Sequence, residues 1–119
     1  MASQSGQMEV DVKNSKMRRI ISDESLIARE YGASVARRIA RRILELINSD
    51  NLYMFSLIPS VGFHALNGDR KGQWAIKINA NRRMIIISPD GPPPEDHGNI
   101  EYLKTVRKVK IEELCVDYH

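Results

Sequence analysis

A single cysteine, Cys115, stands among the 119 residues, so no disulfide can form within the chain. A reducing cytosol is therefore the expected compartment. No apolar run comes near the ~18 residues that a membrane span needs. Residues 1–7 lack the basic-then-apolar order of a secretory leader. The three histidines, His64, His97 and His119, have no metal-ligand spacing and no cysteine pair beside them. No metal site and no cofactor are expected from that pattern. The phosphate-cradling GxxxxGK[ST] loop and the GxSxG elbow are both missing, which excludes the simplest nucleotide-hydrolase and serine-hydrolase assignments. There is no internal repeat, and low complexity is confined to Pro92-Pro93-Pro94.

What remains is an ordinary globular composition. Hydrophobic residues make up 42% and charged residues 28% of the chain, enough for one core in one domain. The formal net charge of +3 permits a nucleic-acid partner without requiring one. Residues 1–7 are expected to form a flexible extension and residues 8–119 the domain.

The periodicity changes once along the chain. Met8-Glu9-Val10-Asp11-Val12 alternates and predicts a first strand. Asn14 or Ser15 can cap a helix carrying Met17, Ile20 and Ile21, and Ser22-Asp23-Glu24 looks like a second start. Gly32 is the expected stop. The clearest helix runs over residues 35–48, capped by Ser34, with Val35, Ala36, Ile39, Ala40, Ile43, Leu44 and Ile47 as its apolar stripe and Arg37, Arg38, Arg41 and Arg42 opposite. Residues 49–60 read as a connection, with Tyr53 and Phe55 tacked onto the core. Strands follow at 63–66, 74–78 and 83–88. Residues 89–99, with four prolines and two glycines, predict an exposed loop. A last strand spans 109–118. Its parity slips between Ile111 and Leu114, which predicts a bulge at Glu112-Glu113. The expected class is α+β, with a helical hairpin packed on a mostly antiparallel sheet.

The stretch His64-Ala-Leu-Asn-Gly-Asp-Arg-Lys-Gly-Gln-Trp74 organises the candidate site. Gly68 and Gly72 bracket a turn and can take positive φ. Arg70, Lys71, Lys77, Arg82 and Arg83 accompany Asp69 as the only acid between Gly62 and Arg83. Such a cationic surface beside a titratable imidazole suits a phosphate-containing substrate. Each feature also has a plainer assignment. On local sequence alone His64 reads first as a half-buried strand histidine and Asp117-Tyr118-His119 as a frayed terminus, while the basic cluster reads as well as a solvated hairpin. Cys115 reads as a small core residue.

His64 to Trp74, Asn81-Arg-Arg-Met-Ile-Ile, and the terminal Val116-Asp-Tyr-His119 together resemble the HigB-type killer toxins of the RelE superfamily, the toxin halves of toxin–antitoxin pairs. The family pattern is roughly H-x-L-K-G-D-R-K-G-x-[WF], then N-[WY]-R-[LI]-x-F, ending in D-Y-H. The likeness spans residues 8–119, and Met8 lies where family members often begin. It implies a RelE-like microbial RNase fold and metal-independent, ribosome-dependent cleavage of messenger RNA in the cytoplasm. It also implies a cognate helix-turn-helix antitoxin of the HigA kind, with operator DNA met only through the toxin–antitoxin complex. On the matching positions, His64, Asp117 and His119 correspond to the acid–base set. Tyr118 corresponds to a residue that orients or stacks on substrate, and Arg83 to the arginine at the scissile phosphate. Asn67, Arg70, Lys71, Asn81 and Arg82 fall on RNA-binding positions.

Two departures stand out. Asn67 replaces the usual lysine and Arg82 the usual aromatic ring. They keep open a catalytically weak module that only binds its antitoxin. A gyrase-poisoning toxin of the ParE kind is the other alternative, although those relatives lack the histidines that this chain retains.

Overall fold

Helical periodicity up to Asn48 and strand periodicity after Gly62 translate into a helical layer against one face of a sheet. A computed structural model of the chain describes residues 7–117. The alternating first segment forms β1 (Glu9–Val12). Three helices follow: α1 (Ser15–Ile21), α2 (Glu24–Tyr31) and α3 (Ala33–Ile47). Asn14 accepts the backbone N–H of Met17 at 2.9 Å and Asp23 that of Ser25 at 2.9 Å, so both helices start where the sequence has a capping side chain. The Ser25 N–H, the first of the contacts on Asp23, holds that carboxyl below its usual range.

Gly32 is the hinge between α2 and α3. Its φ of 93° ends one helix and begins the next. The expected Ser34 cap is therefore corrected: α3 starts at Ala33, and Ser34 lies inside its first turn. The arginine side of α3 also needs correction. Leu44, expected in the core, is 59% exposed, while Arg42 is only 5% exposed. At about 100° per residue, Arg42 lies nearer the Ala36–Ile39–Leu46 stripe than Leu44 does.

After α3 the chain makes short elements. The expected connection at 49–60 contains α4 (Leu52–Ser56), started by the Asn51 side chain accepting from Met54 N–H. Then come a 3-10 turn (Pro59–Val61), β2 (His64–Ala65), a second 3-10 turn (Gly68–Arg70), β3 (Trp74–Asn79) and β4 (Arg82–Ile87). A four-residue helix α5 (Ile100–Leu103), capped by Asn99, precedes β5 (Lys108–Asp117). The sheet order is β1-β5-β4-β3-β2. β1 pairs with β5 in parallel and the other neighbours pair antiparallel, so this is an α+β fold on a mixed sheet. Ile85 faces Glu113 and Ile86 faces Ile111, so β5 carries its extra residue at Glu112, as the slipped parity predicts. A second shift lies between Val116 and Glu113.

The core fills the space between the helices and one sheet face. Trp74, Ile76, Ile78, Met84, Ile86, Val109 and Ile111 come from the strands, and Ala36, Ile39 and Leu46 from α3. The proline-rich loop is not wholly exposed. His97 is buried, its Nε2 lies 3.0 Å from the Gln73 carbonyl, and its own carbonyl accepts the Trp74 indole N–H at 2.9 Å. A buried indole N–H needs such an acceptor, and the loop supplies it. No helix among the described residues is long and apolar enough to cross a membrane.

Arg42 fastens the helical layer to the sheet. Its Nε donates to the Lys77 carbonyl at 2.7 Å, one terminal nitrogen to the Ser60 carbonyl at 2.7 Å, and the other to Glu45 at 2.8 Å. Replacing it with alanine strands two carbonyls and a carboxylate. Arg42→Ala is expected to cost about 2–4 kcal/mol in urea-unfolding measurements, and Arg42→Lys, which cannot fork, an intermediate amount.

Candidate RNA-binding face and its residues

Paired residues on neighbouring strands project to the same side of a sheet, and successive residues to opposite sides. His64 pairs with Ala75, Ala75 with Ile85, and Ile85 with Glu113, forming one row across four strands. Two residues further along the same face, Lys77 pairs with Arg83. This is the face away from the helices, because Trp74, Ile76, Met84 and Ile86 belong to the helix-facing core. His64, Lys77 and Arg83 thus share a face. The backbones of His64 and Arg83 are roughly 12 Å apart, from strand spacing and rise.

His64 is exposed. Gly62, two residues before it, has φ of 52°, and a Cβ there would stand 2.9 Å from Lys77 Cβ. The missing side chain lets the Lys77 stem pass beside the approach to β2. Lys77 makes no ion pair with any described carboxylate. It lies directly opposite Arg83, and like charges so placed repel. Arg83 is half-buried, and one of its terminal nitrogens donates to the Asn79 carbonyl at 2.7 Å and the Arg82 carbonyl at 3.0 Å. The β3–β4 turn therefore fixes its direction. Asn81 is exposed in that turn, its N–H donating to Asn79 Oδ1 at 2.9 Å.

The glycine-bracketed segment adopts the expected backbone, with φ of 64° at Gly68 and 93° at Gly72. Its charges are engaged, however. Arg70 reaches across to Glu113 of β5 at 2.6 Å and to Gln73 at 3.1 Å. Ile85, in the row between, is buried. Lys71 pairs with Glu95 of the proline-rich loop. Lys71 holds the Glu95 carboxyl below its usual range, so that tie is complete above the ordinary glutamate pKa and is lost as pH falls through the lowered one. Asn67, at the lysine position of the resemblance, is exposed, and its carbonyl accepts the Arg70 N–H at 3.3 Å.

Asp117 and Arg82 lie elsewhere. They are paired residues of β5 and β4 with an ion pair at 3.3 Å, and alternation puts them on the side opposite His64 and Arg83. Cys115 and Tyr31 are their neighbours. Burial pushes the Cys115 thiol up, and Arg82 pulls it partly back. Burial likewise raises Tyr31. The structure thus unites His64 with Arg83 and sets Asp117 apart from them. Tyr118 and His119 lie outside the described residues.

Sequence reasoning counted Lys77 only among the basic residues of the segment, without a place beside His64, and missed Glu113 as the partner of Arg70. The signal for Lys77 was strand parity counted from His64 through the β2–β3 register, and that register is not written in any local pattern. A groove of about 490 Å³ adjoins His64, with Tyr53, Phe63, Leu57 and Ile100 among its walls.

The thiolate is the reactive form of cysteine. Cys115 is therefore expected to react with iodoacetamide much more slowly in the folded protein than in urea at pH 8. Arg82→Gln should slow the folded protein's reaction further, as followed by intact-mass spectrometry. Comparison with protein families, with curated proteins and with solved structures finds no match for this chain.

Proposed function

We propose that the chain is an endoribonuclease toxin of the RelE-like kind, cutting messenger RNA on the ribosome without a metal and held in check by a helix-turn-helix antitoxin. The observation that carries this reading is the sharing of one open sheet face by His64, Lys77 and Arg83. Two opposed cations and an imidazole form a seat for a phosphodiester. The adjoining groove adds Tyr53 and Phe63, rings on which an unpaired base can stack. A single-stranded RNA substrate suits that combination better than duplex DNA, which favours the ribonuclease over the gyrase-poisoning alternative.

The chemistry divides among few groups. His64 as general base takes the proton of the ribose 2′-hydroxyl. The 2′-oxygen attacks the adjacent phosphorus, and the bond from phosphorus to the 5′-oxygen breaks. Arg83 and Lys77 stabilise the extra negative charge on the phosphorane. A general acid protonates the leaving 5′-oxygen, giving a 2′,3′-cyclic phosphate and a 5′-hydroxyl. The family resemblance assigns that acid to His119 and a stacking role to Tyr118. The ion pair of Asp117 with Arg82, on the other side of the sheet, supports a part for Asp117 in holding the end of β5 rather than in moving a proton.

In a translation extract with added ribosomes, His64→Gln is expected to lower messenger-RNA cleavage by about 10²–10⁴-fold, with Arg83→Gln in the same range. Lys77→Met should lose less, and Asp117→Asn least of all. Undiminished cleavage by His64→Gln would refute the assignment, and DNA breaks without RNA cleavage would install the gyrase reading in its place. Binding to an antitoxin with no cleavage under any condition would leave only the binding module.

A further inference from the structure

We propose that the solvent-facing row of α3 is a docking strip for an acidic, amphipathic helix of a partner protein. Ser34, Arg37, Arg41, Leu44 and Asn48 are spaced three and four apart, so they form one line along the helix, about 21 Å long. Arg37 and Arg41 are one turn apart, as are Arg38 and Arg42. Like charges at that spacing weaken an isolated helix. Arg42 is tied inward, and Arg38 makes only a 3.5 Å contact with the Ile78 carbonyl. Arg37 and Arg41 make no ion pair, although eight ion pairs form elsewhere among the described residues. Two grooves, of about 570 Å³ and 420 Å³, meet along this line and share Arg41 and Leu44.

The walls indicate what fits. Leu44 is 59% exposed, the most exposed large apolar side chain of the described chain, and Ile58 lines the same groove. The strip is thus cationic along Arg37 and Arg41 and apolar at Leu44. Glu24 and Glu45 also line it, but Glu45 is held by Arg42. No aromatic side chain lines either groove, so there is no platform for a nucleobase. A phosphate backbone would use the arginines and leave the apolar end uncovered. A helix carrying carboxylates one turn apart, followed by an apolar side chain, meets both ends at once. The strip rests on α3 alone and does not depend on the reading of the His64 face.

The test uses the full chain and a fluorescein-labelled synthetic helix bearing paired glutamates one turn apart and a leucine one turn further on, followed by anisotropy. Saturable binding that weakens with salt is expected. The double variant Arg37→Glu/Arg41→Glu should weaken it about tenfold or more, and Leu44→Ser by roughly threefold or more at fixed salt. All three positions are exposed, and unchanged thermal melts will confirm that the variants fold. Unaltered peptide binding in either variant overturns the proposal. So does a single-stranded RNA that displaces the peptide and is weakened by the arginine changes while Leu44→Ser affects neither ligand.

Discussion

Arg42 is the tie on which the rest of the molecule hangs. A guanidinium presents several donors in one plane, and here they are shared among a strand carbonyl, a turn carbonyl and a carboxylate on its own helix. The strand carbonyl belongs to Lys77 and the turn carbonyl to Ser60. The first belongs to a β3 residue whose side chain is on the open face, and the second lies in the turn that leads through Gly62 into His64. The helical layer therefore fixes, through one side chain, the two backbone segments that carry the imidazole and its neighbouring ammonium. A charge so deeply placed is tolerable because each of its three nitrogens has a hydrogen-bond partner and one of these is a carboxylate.

The open face shows how a basic sequence and a basic surface differ. Several of the cations between Gly62 and Arg83 are matched by a described carboxylate, Arg70 by Glu113, Lys71 by Glu95 and Arg82 by Asp117. Lys77, which pairs with no described carboxylate, stands directly opposite Arg83 across β3 and β4. The matched pairs serve shape instead. Arg70 draws the glycine-bracketed segment over Ile85, and Lys71 fastens the proline-rich loop, whose His97 receives the only tryptophan's N–H.

Elements with strong local signals were legible in the sequence. The caps at Asn14 and Asp23, the helix break at Gly32, the positive φ at Gly68 and Gly72 and the bulge in β5 each follow from residue type or parity over a few positions. The α+β layering followed from the change of period. What was not legible depends on partners distant in sequence. Arg42 looked like one of four surface arginines until the carbonyls of Ser60 and Lys77 came within reach. Leu44 looked like core because spacing alone does not set the width of a buried stripe. The proline-rich segment looked fully exposed because nothing in it announces that Trp74 needs an acceptor. Asp117 entered the site through the family resemblance, and its pairing with Arg82 depends on a β4–β5 register that β5 alone does not announce.

The parallel pairing of β1 with β5 has a consequence for biogenesis. β5 lies inside the sheet, between β1 and β4, so the earliest strand has no neighbour until the latest one has been made. During synthesis the β3–β4 hairpin can close locally, but β1 must wait as an orphan strand for almost the whole described chain to emerge. Completion of the sheet is thereby postponed until β5 has emerged, and a nascent chain that has not yet reached it holds an unfinished sheet.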